Sequence, residues 1–168
     1  IQNYKKALAV FEDAQKMKQE DVSLISKIAY CQMKLGDINS AIISYEQAVT
    51  VEPKIDEMKI LAGLYLKRDN KKEAINIYKK CLKIKKDEVM ACDVALYEYE
   101  MKNFKEAVVY FQQCDNTSNY LVFFSFIESW FYLLDYKNTA SFSEVFMTKY
   151  NGTAKTVDVY RFLAISYD

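Results

Sequence analysis

The sequence predicts an all-α fold of stacked antiparallel helix pairs, and three observations carry that prediction. One proline and three glycines in 168 residues leave almost nothing to interrupt helices, whereas a sheet protein needs many turns. Apolar residues make up 51% and charged residues 27%, so the chain can bury a core and does not read as disordered. Most decisively, a small residue recurs at Ala7, Ala41, Ala74 and Ala107, so that each number exceeds the last by a nearly constant step. A fixed interval of that length marks an array of helical repeats.

The interval accounts for the elements in chain order. Four places after each alanine stands an aromatic: Phe11, Tyr45, Tyr78 and Phe111. Three further on comes another small residue: Ala14, Ala48, Cys81 and Cys114. Offsets of three and four share one helical face, so a helix is expected over 2–17 and a second helix in each later pair. Ile28-Ala29, Leu61-Ala62 and Val94-Ala95 precede Ala41, Ala74 and Ala107 by the same offset and mark the first helices; Leu163-Ala164 is a further copy. Between the helices of the first pair, Leu35-Gly36-Asp37 can end a helix in the left-handed conformation. Hairpins are expected at 22–53, 55–86, 88–115 and 120–150, with a last helix from about 155. The turn glycine gives way to Asp69 and Lys102, and after Gln113 the pattern decays. A turn at Asp135-Tyr136 puts Thr139, Ser143 and Phe146 in the small, aromatic and small places, with Trp130 as the large apolar residue. Ala140 offers a competing register. One hairpin cannot bury both its faces, so neighbours must stack.

Three stretches resemble the tetratricopeptide repeat family. They are Leu35-Gly36-Asp37 with Ala41-Ile42, Tyr45, Ala48-Val49 and Glu52-Pro53; Leu61-Ala62 with Tyr65, Glu73-Ala74-Ile75, Tyr78 and Leu82; and Val94-Ala95 with Phe104, Glu106-Ala107 and Phe111. Gln32 departs from the pattern, standing where a large apolar residue is usual. The resemblance implies a right-handed α-α superhelix (solenoid) whose inner wall is lined by the first helix of each pair. It divides the chain into a half repeat 1–21, repeats 22–54, 55–87, 88–119 and 120–153, and a half repeat 154–168. Neither end reads as a polar capping helix, so the expectation is a single array that forms part of a longer one.

Such arrays imply a non-catalytic scaffold that holds a peptide or helix of another protein in the concave groove. The lining expected from the first helices is Ser26, Tyr30, Met33 and Lys34, then Lys59, Gly63, Leu66 and Lys67. The later pairs add Cys92, Leu96, Tyr99 and Glu100, then Phe124, Glu128, Phe131 and Tyr132. Rigid aromatics and an adaptable methionine suit a groove that anchors a peptide. The same side chains also fit a core. For Phe124, Trp130 and Phe131 the core reading is favoured, because nearly half of the side chains from Tyr120 to Tyr136 are aromatic. Self-association through the aromatic C-terminal half is the alternative function. A clamp for chaperone C-terminal carboxylates is disfavoured, since only Lys59 fits its pattern.

Other functions are excluded or weakened. There is no histidine, which removes Ser-His-Asp and Cys-His catalysis and histidine-ligated metals. Three glycines cannot build a phosphate loop. No catalytic residue, metal site or cofactor is therefore expected. The net charge is zero, but residues 1–87 carry 17 basic and 12 acidic side chains (+5) and residues 88–168 carry 6 and 11 (−5). The basic run Lys67 to Lys86 reads mainly as a solvated face. RNA or acidic-partner binding through it is the weaker reading, with only two arginines to make bidentate contacts. Cys81 and Cys114 read as packing thiols. Asn116-Thr117-Ser118 and Asn151-Gly152-Thr153 match a glycosylation pattern that often arises by chance. The apolar stretch from Tyr120 to Leu134 is too short to span a bilayer, and a reducing, cytoplasmic setting is expected.

Overall fold

The computed structural model describes residues 2–18 and 21–168; residues 1, 19 and 20, which fall in the expected half repeat 1–21, lie outside the described residues. The described residues form helices and no strands. They group into two compact units, Ile1–Ile84 and Lys85–Asp168. The division falls within the connection that follows the second full hairpin.

Unit 1 holds α1 (Gln2–Met17), α2 (Val22–Leu35), α3 (Ile38–Val51), α4 (Ile55–Lys67) and α5 (Lys71–Ile84). Each helix packs on its sequence neighbour in the hairpins α2–α3 and α4–α5, and α1 packs on α2. The small residues are fully enclosed: Ala29, Ala41, Ala48, Ala62, Ala74 and Cys81 are each 0% exposed. Tyr45 fills the space beside them at 2%. The departure at Gln32 has a use, because its Oε1 accepts a hydrogen bond from Ser44 Oγ at 2.8 Å and ties α2 to α3.

Unit 2 holds α6 (Glu88–Glu100), α7 (Phe104–Phe111), α8 (Tyr120–Tyr132), α9 (Tyr136–Tyr150) and α10 (Thr156–Tyr167). Its core joins Ala95, Ala107, Val108 and Phe111 to Phe123, Phe124, Phe126, Ile127, Phe146 and Val159. The helix α7 is only 8 residues long and ends before the expected limit of 115.

The four hairpin turns share one construction. A left-handed residue follows the first helix at Gly36 (φ 84°), Asp69 (57°), Lys102 (61°) and Leu134 (59°). In each turn the next residue donates its N–H back to the carbonyl five positions earlier: Asp37 to Gln32, Asn70 to Tyr65, Asn103 to Glu98, Asp135 to Trp130. This 6→1 bond satisfies carbonyls that a helix end otherwise leaves open. That next residue then caps the second helix in three of the four turns, with Ser40, Glu73 and Asn138 donating backbone N–H groups to Asp37, Asn70 and Asp135. The step from Lys102 to Leu134 is one position shorter than the two steps before it, so the fourth pair is displaced by one. Thr139, Ser143 and Phe146 are accordingly each 0% exposed, while Ala140 is only half-buried.

The cysteines correct one expectation. Cys114 is not a packing thiol equivalent to Cys81; it is bridged to Cys92, with Cα atoms 5.3 Å apart. The bridge ties α6 to the segment after α7. Cys31 and Cys81 are buried thiols outside that bridge, and burial pushes the Cys31 thiol pKa up.

Candidate functional site

In unit 1, α1, α2, α3 and the start of α4 line an open cleft of about 590 Å³. α1 contributes Tyr4, Ala7 and Phe11; α2 contributes Ser26, Lys27 and Tyr30; Tyr45 of α3 lies at the base; Lys54, Glu57 and Ile60 come from the start of α4. Local sequence sets these positions. Asp21 Oδ1 caps α2 by accepting from Ser23 N at 3.0 Å and Leu24 N at 3.2 Å. Asp56 and Glu57 occupy the first turn of α4, where the positive end of the helix dipole favours a carboxylate.

The cleft is aromatic at its rim and polar in its depth. Tyr4 meets Tyr30 edge to face at 6.1 Å, and Lys34 Nζ lies 5.2 Å from the Tyr30 ring centroid. Lys27 Nζ lies 5.7 Å from the Phe11 ring centroid. Ser26 Oγ and Glu57 Oε2 are buried and have no hydrogen-bond partner among the described residues. Burial, and next the charge of Glu57, push the Tyr45 phenol up to about 12. An unpartnered carboxylate oxygen and hydroxyl beside apolar rings give such a cleft both desolvation and hydrogen bonds to offer a ligand.

Of the expected lining in unit 1, Ser26 and Tyr30 belong to this cleft. Met33 is half-buried and Lys34 exposed; Lys59, Leu66 and Lys67 are exposed outside it. Most of the basic residues from Lys67 to Lys86 are exposed along α5 and its flanks. The repeat pattern does not single out Tyr4, Phe11, Lys27, Lys54, Glu57 or Ile60 as lining. A signal for the α1 wall exists in the stripe Ala7–Phe11–Ala14, which has the form of a second helix.

In unit 2 the expected residues separate. Phe124 is 4% exposed and belongs to the core, stacked on Phe162 at 5.8 Å, which corrects its place as a lining residue. Phe131 stacks on the same Phe162 at 4.4 Å, and Leu96 packs against the core. Tyr99 and Glu128 come together, the phenol donating to the carboxylate. Burial and then that carboxylate hold the Tyr99 pKa well above the usual phenol range. Tyr99 and Glu100 border a hollow of about 290 Å³ with Lys102, Phe104 and Tyr132. Phe104 and Tyr132 stack at 4.5 Å on its edge. None of the described helices is long and apolar enough to cross a membrane.

Helix pairs nested through small residues, repeated at a nearly fixed interval and leaving open clefts, define a helical-repeat protein of the α–α solenoid class. The tetratricopeptide repeat family model matches residues 23–55 and 60–88. Similar solved structures include a "Crystal structure of MamA protein" (15% identity over 90% of this chain and 88% of that chain, TM-score 0.55). Another is YrrB, described as "a TPR protein with an unusual peptide-binding site" (11%, 95% and 84%, TM-score 0.59). A third is a chain of Naa15/Naa10 bound to HypK-THB, of which this chain spans 27% (16% identity, 98% of this chain, TM-score 0.67). At these identities the likeness is one of fold. No curated protein sequence matches. Residues 23–55 and 60–88 thus match the tetratricopeptide repeat, whose fold serves protein–protein interaction in general.

Proposed function

We propose that the chain is a non-catalytic scaffold that seats a helix of a partner protein in the unit 1 cleft. The observation that carries this reading is the open cleft itself, about 590 Å³ in volume, where Tyr4, Phe11 and Tyr30 present aromatic rings. Ser26 Oγ and Glu57 Oε2 add two polar atoms whose desolvation, on the order of 1–3 kcal/mol each, a donor on the incoming helix offsets. Tyr30, 41% exposed at the rim, is the aromatic anchor, with Met33 and Lys34 beside it. The peptide-binding site for which YrrB is described is in keeping with this use of the fold.

The test is a displayed library of helical peptides, selected on the immobilised chain. Peptides with small and apolar residues at i, i+4 and i+7 are expected. Their affinity falls about ten-fold with Tyr30→Ala or Ala7→Arg and is unchanged with Tyr132→Ala in unit 2. Selected peptides that bind Ala7→Arg as well as the unaltered chain overturn the proposal, as does a library with no selectable binder.

A further inference from the structure

We infer that the unit 1 cleft holds a subsite for a basic side chain, arginine or lysine, projecting from the seated helix, with Glu57 as the carboxylate that receives it; this rests on the reading of the cleft as a helix seat. One acid of the cleft is left without a donor. Glu57 is half-buried in the first turn of α4, and its Oε2 is enclosed with no hydrogen-bond partner among the described residues. The α4 dipole favours negative charge in that turn but supplies no hydrogen bond to this oxygen. A buried carboxylate oxygen without a donor is costly, and a charged donor offsets that cost better than a neutral one. Ser26 Oγ, on the α2 wall of the same cleft, is a second enclosed acceptor in the same condition.

The cations already near the cleft do not fill this place. Lys54 lines it, but its Nζ pairs with Glu52 Oε2 at 2.8 Å. Lys27 Nζ lies 5.7 Å from the Phe11 ring centroid, and Lys34 Nζ 5.2 Å from that of Tyr30. All three lysines are exposed, so water screens them far more than it screens the enclosed Glu57 oxygen. Among the described residues that line the cleft, Glu57 is the one carboxylate. Its field extends to the base, where burial and then the Glu57 charge raise the Tyr45 pKa.

The walls suit the same guest. Tyr4, Phe11 and Tyr30 present rings whose faces attract cations, as the two rim lysines show. A guanidinium is flat and weakly hydrated, stacks on such rings and has N–H groups enough for two acceptors, so arginine is favoured over lysine. An acidic side chain in this place would set two carboxylates together in a half-buried site and is disfavoured.

The displayed library of helical peptides tests this on the full chain. Selected binders are expected to carry arginine or lysine at one common position. N-terminally acetylated synthetic copies are compared with copies in which citrulline replaces that arginine, or acetyl-lysine that lysine, changes that remove the charge and nearly keep the shape. Glu57→Gln does the same on the receiving side, and circular dichroism checks that its helical content matches the parent. Either change alone is expected to weaken binding about ten-fold, and the two together no more than one, because both remove the same pair. The peptide comparison is made on the unaltered chain, so it stands whatever the variant does; neutral copies that bind as well as the charged ones overturn the inference. Binders that need Tyr30 but carry no basic residue, that ignore Glu57→Gln, or for which the two losses multiply, also overturn it while the helix seat stands. A library with no selectable binder overturns both.

Discussion

Leu134 occupies a conformation that suits glycine, and replacing it isolates the energy of one turn. Its φ of 59° places the Cβ against the following carbonyl, which costs an L-residue about 1–2 kcal/mol. Its own N–H bonds to the Phe131 carbonyl at 3.0 Å and that of Asp135 to Trp130 at 3.1 Å, and neither bond involves the side chain. The side chain is 69% exposed, so little burial is lost on removing it. Glycine loosens the unfolded chain by about 0.5–1 kcal/mol, which leaves a net gain of about 0.5–1 kcal/mol for Leu134→Gly. Gly36→Ala is the inverse experiment. A Cβ there meets nothing within 4 Å, so the expected loss of about 0.5–1 kcal/mol is backbone strain alone. Trp130 is the only tryptophan, so its fluorescence in urea follows unit 2, while circular dichroism follows both units. Leu134→Gly should raise the fluorescence midpoint by about 0.3–0.5 M. An unchanged or lower midpoint, or a Gly36→Ala chain as stable as the parent, refutes the shared turn construction.

Ala74→Leu overfills the contact between α4 and α5 and is expected to cost about 1–3 kcal/mol, whereas Ala164→Leu on the exposed face of α10 changes thermal stability by less than about 0.5 kcal/mol. Equal effects in a melting experiment would remove the alanine contact as the constraint. Tyr45 and Tyr65 titrate at about 12 in the folded chain, above the unfolded value of 10. Raised phenol values mean that the folded state favours the neutral ring. Their contribution is therefore complete below pH 10 and is lost as pH climbs from 10 to 12. Phenolate absorbance of the native chain should lag that of the urea-unfolded chain, and superposable curves would refute this. Thiol titration in denaturant should find two reactive cysteines before reduction, Cys31 and Cys81, and four after; four before reduction would remove the Cys92–Cys114 bridge.

The helix pairs are legible because alanine, aromatic and small residues recur at offsets that only helices place on one face. Helix limits follow from them to within a few residues, from α2 at 22–35 to α10 at 156–167. The fourth pair is harder because Leu134 supplies the left-handed turn that Gly36 announces openly. The shorter step before it shifts Thr139 into the place that a strict interval gives to Ala140. The bridge is hidden by the repeat itself, which equates Cys114 with Cys81. An antiparallel hairpin nevertheless brings the first turns of α6 beside the segment after α7, where Cys92 and Cys114 lie. The lining is only partly legible. Offsets on a first helix identify the face beside the core but not what covers it. Tyr30 remains at a rim, while Phe124 and Phe131 are covered by Phe162 of α10. Glu57 and Phe11 escape notice because they come from a helix start and a second helix.

Amide hydrogen exchange tests most directly whether a helix pair nested on small residues is the unit of burial. In dilute chain, amides of α1 and α10 should exchange well ahead of those in α3 and α5, whose stripes are covered. Slow exchange of α1 at high dilution, equal to that of α3, would contradict the account.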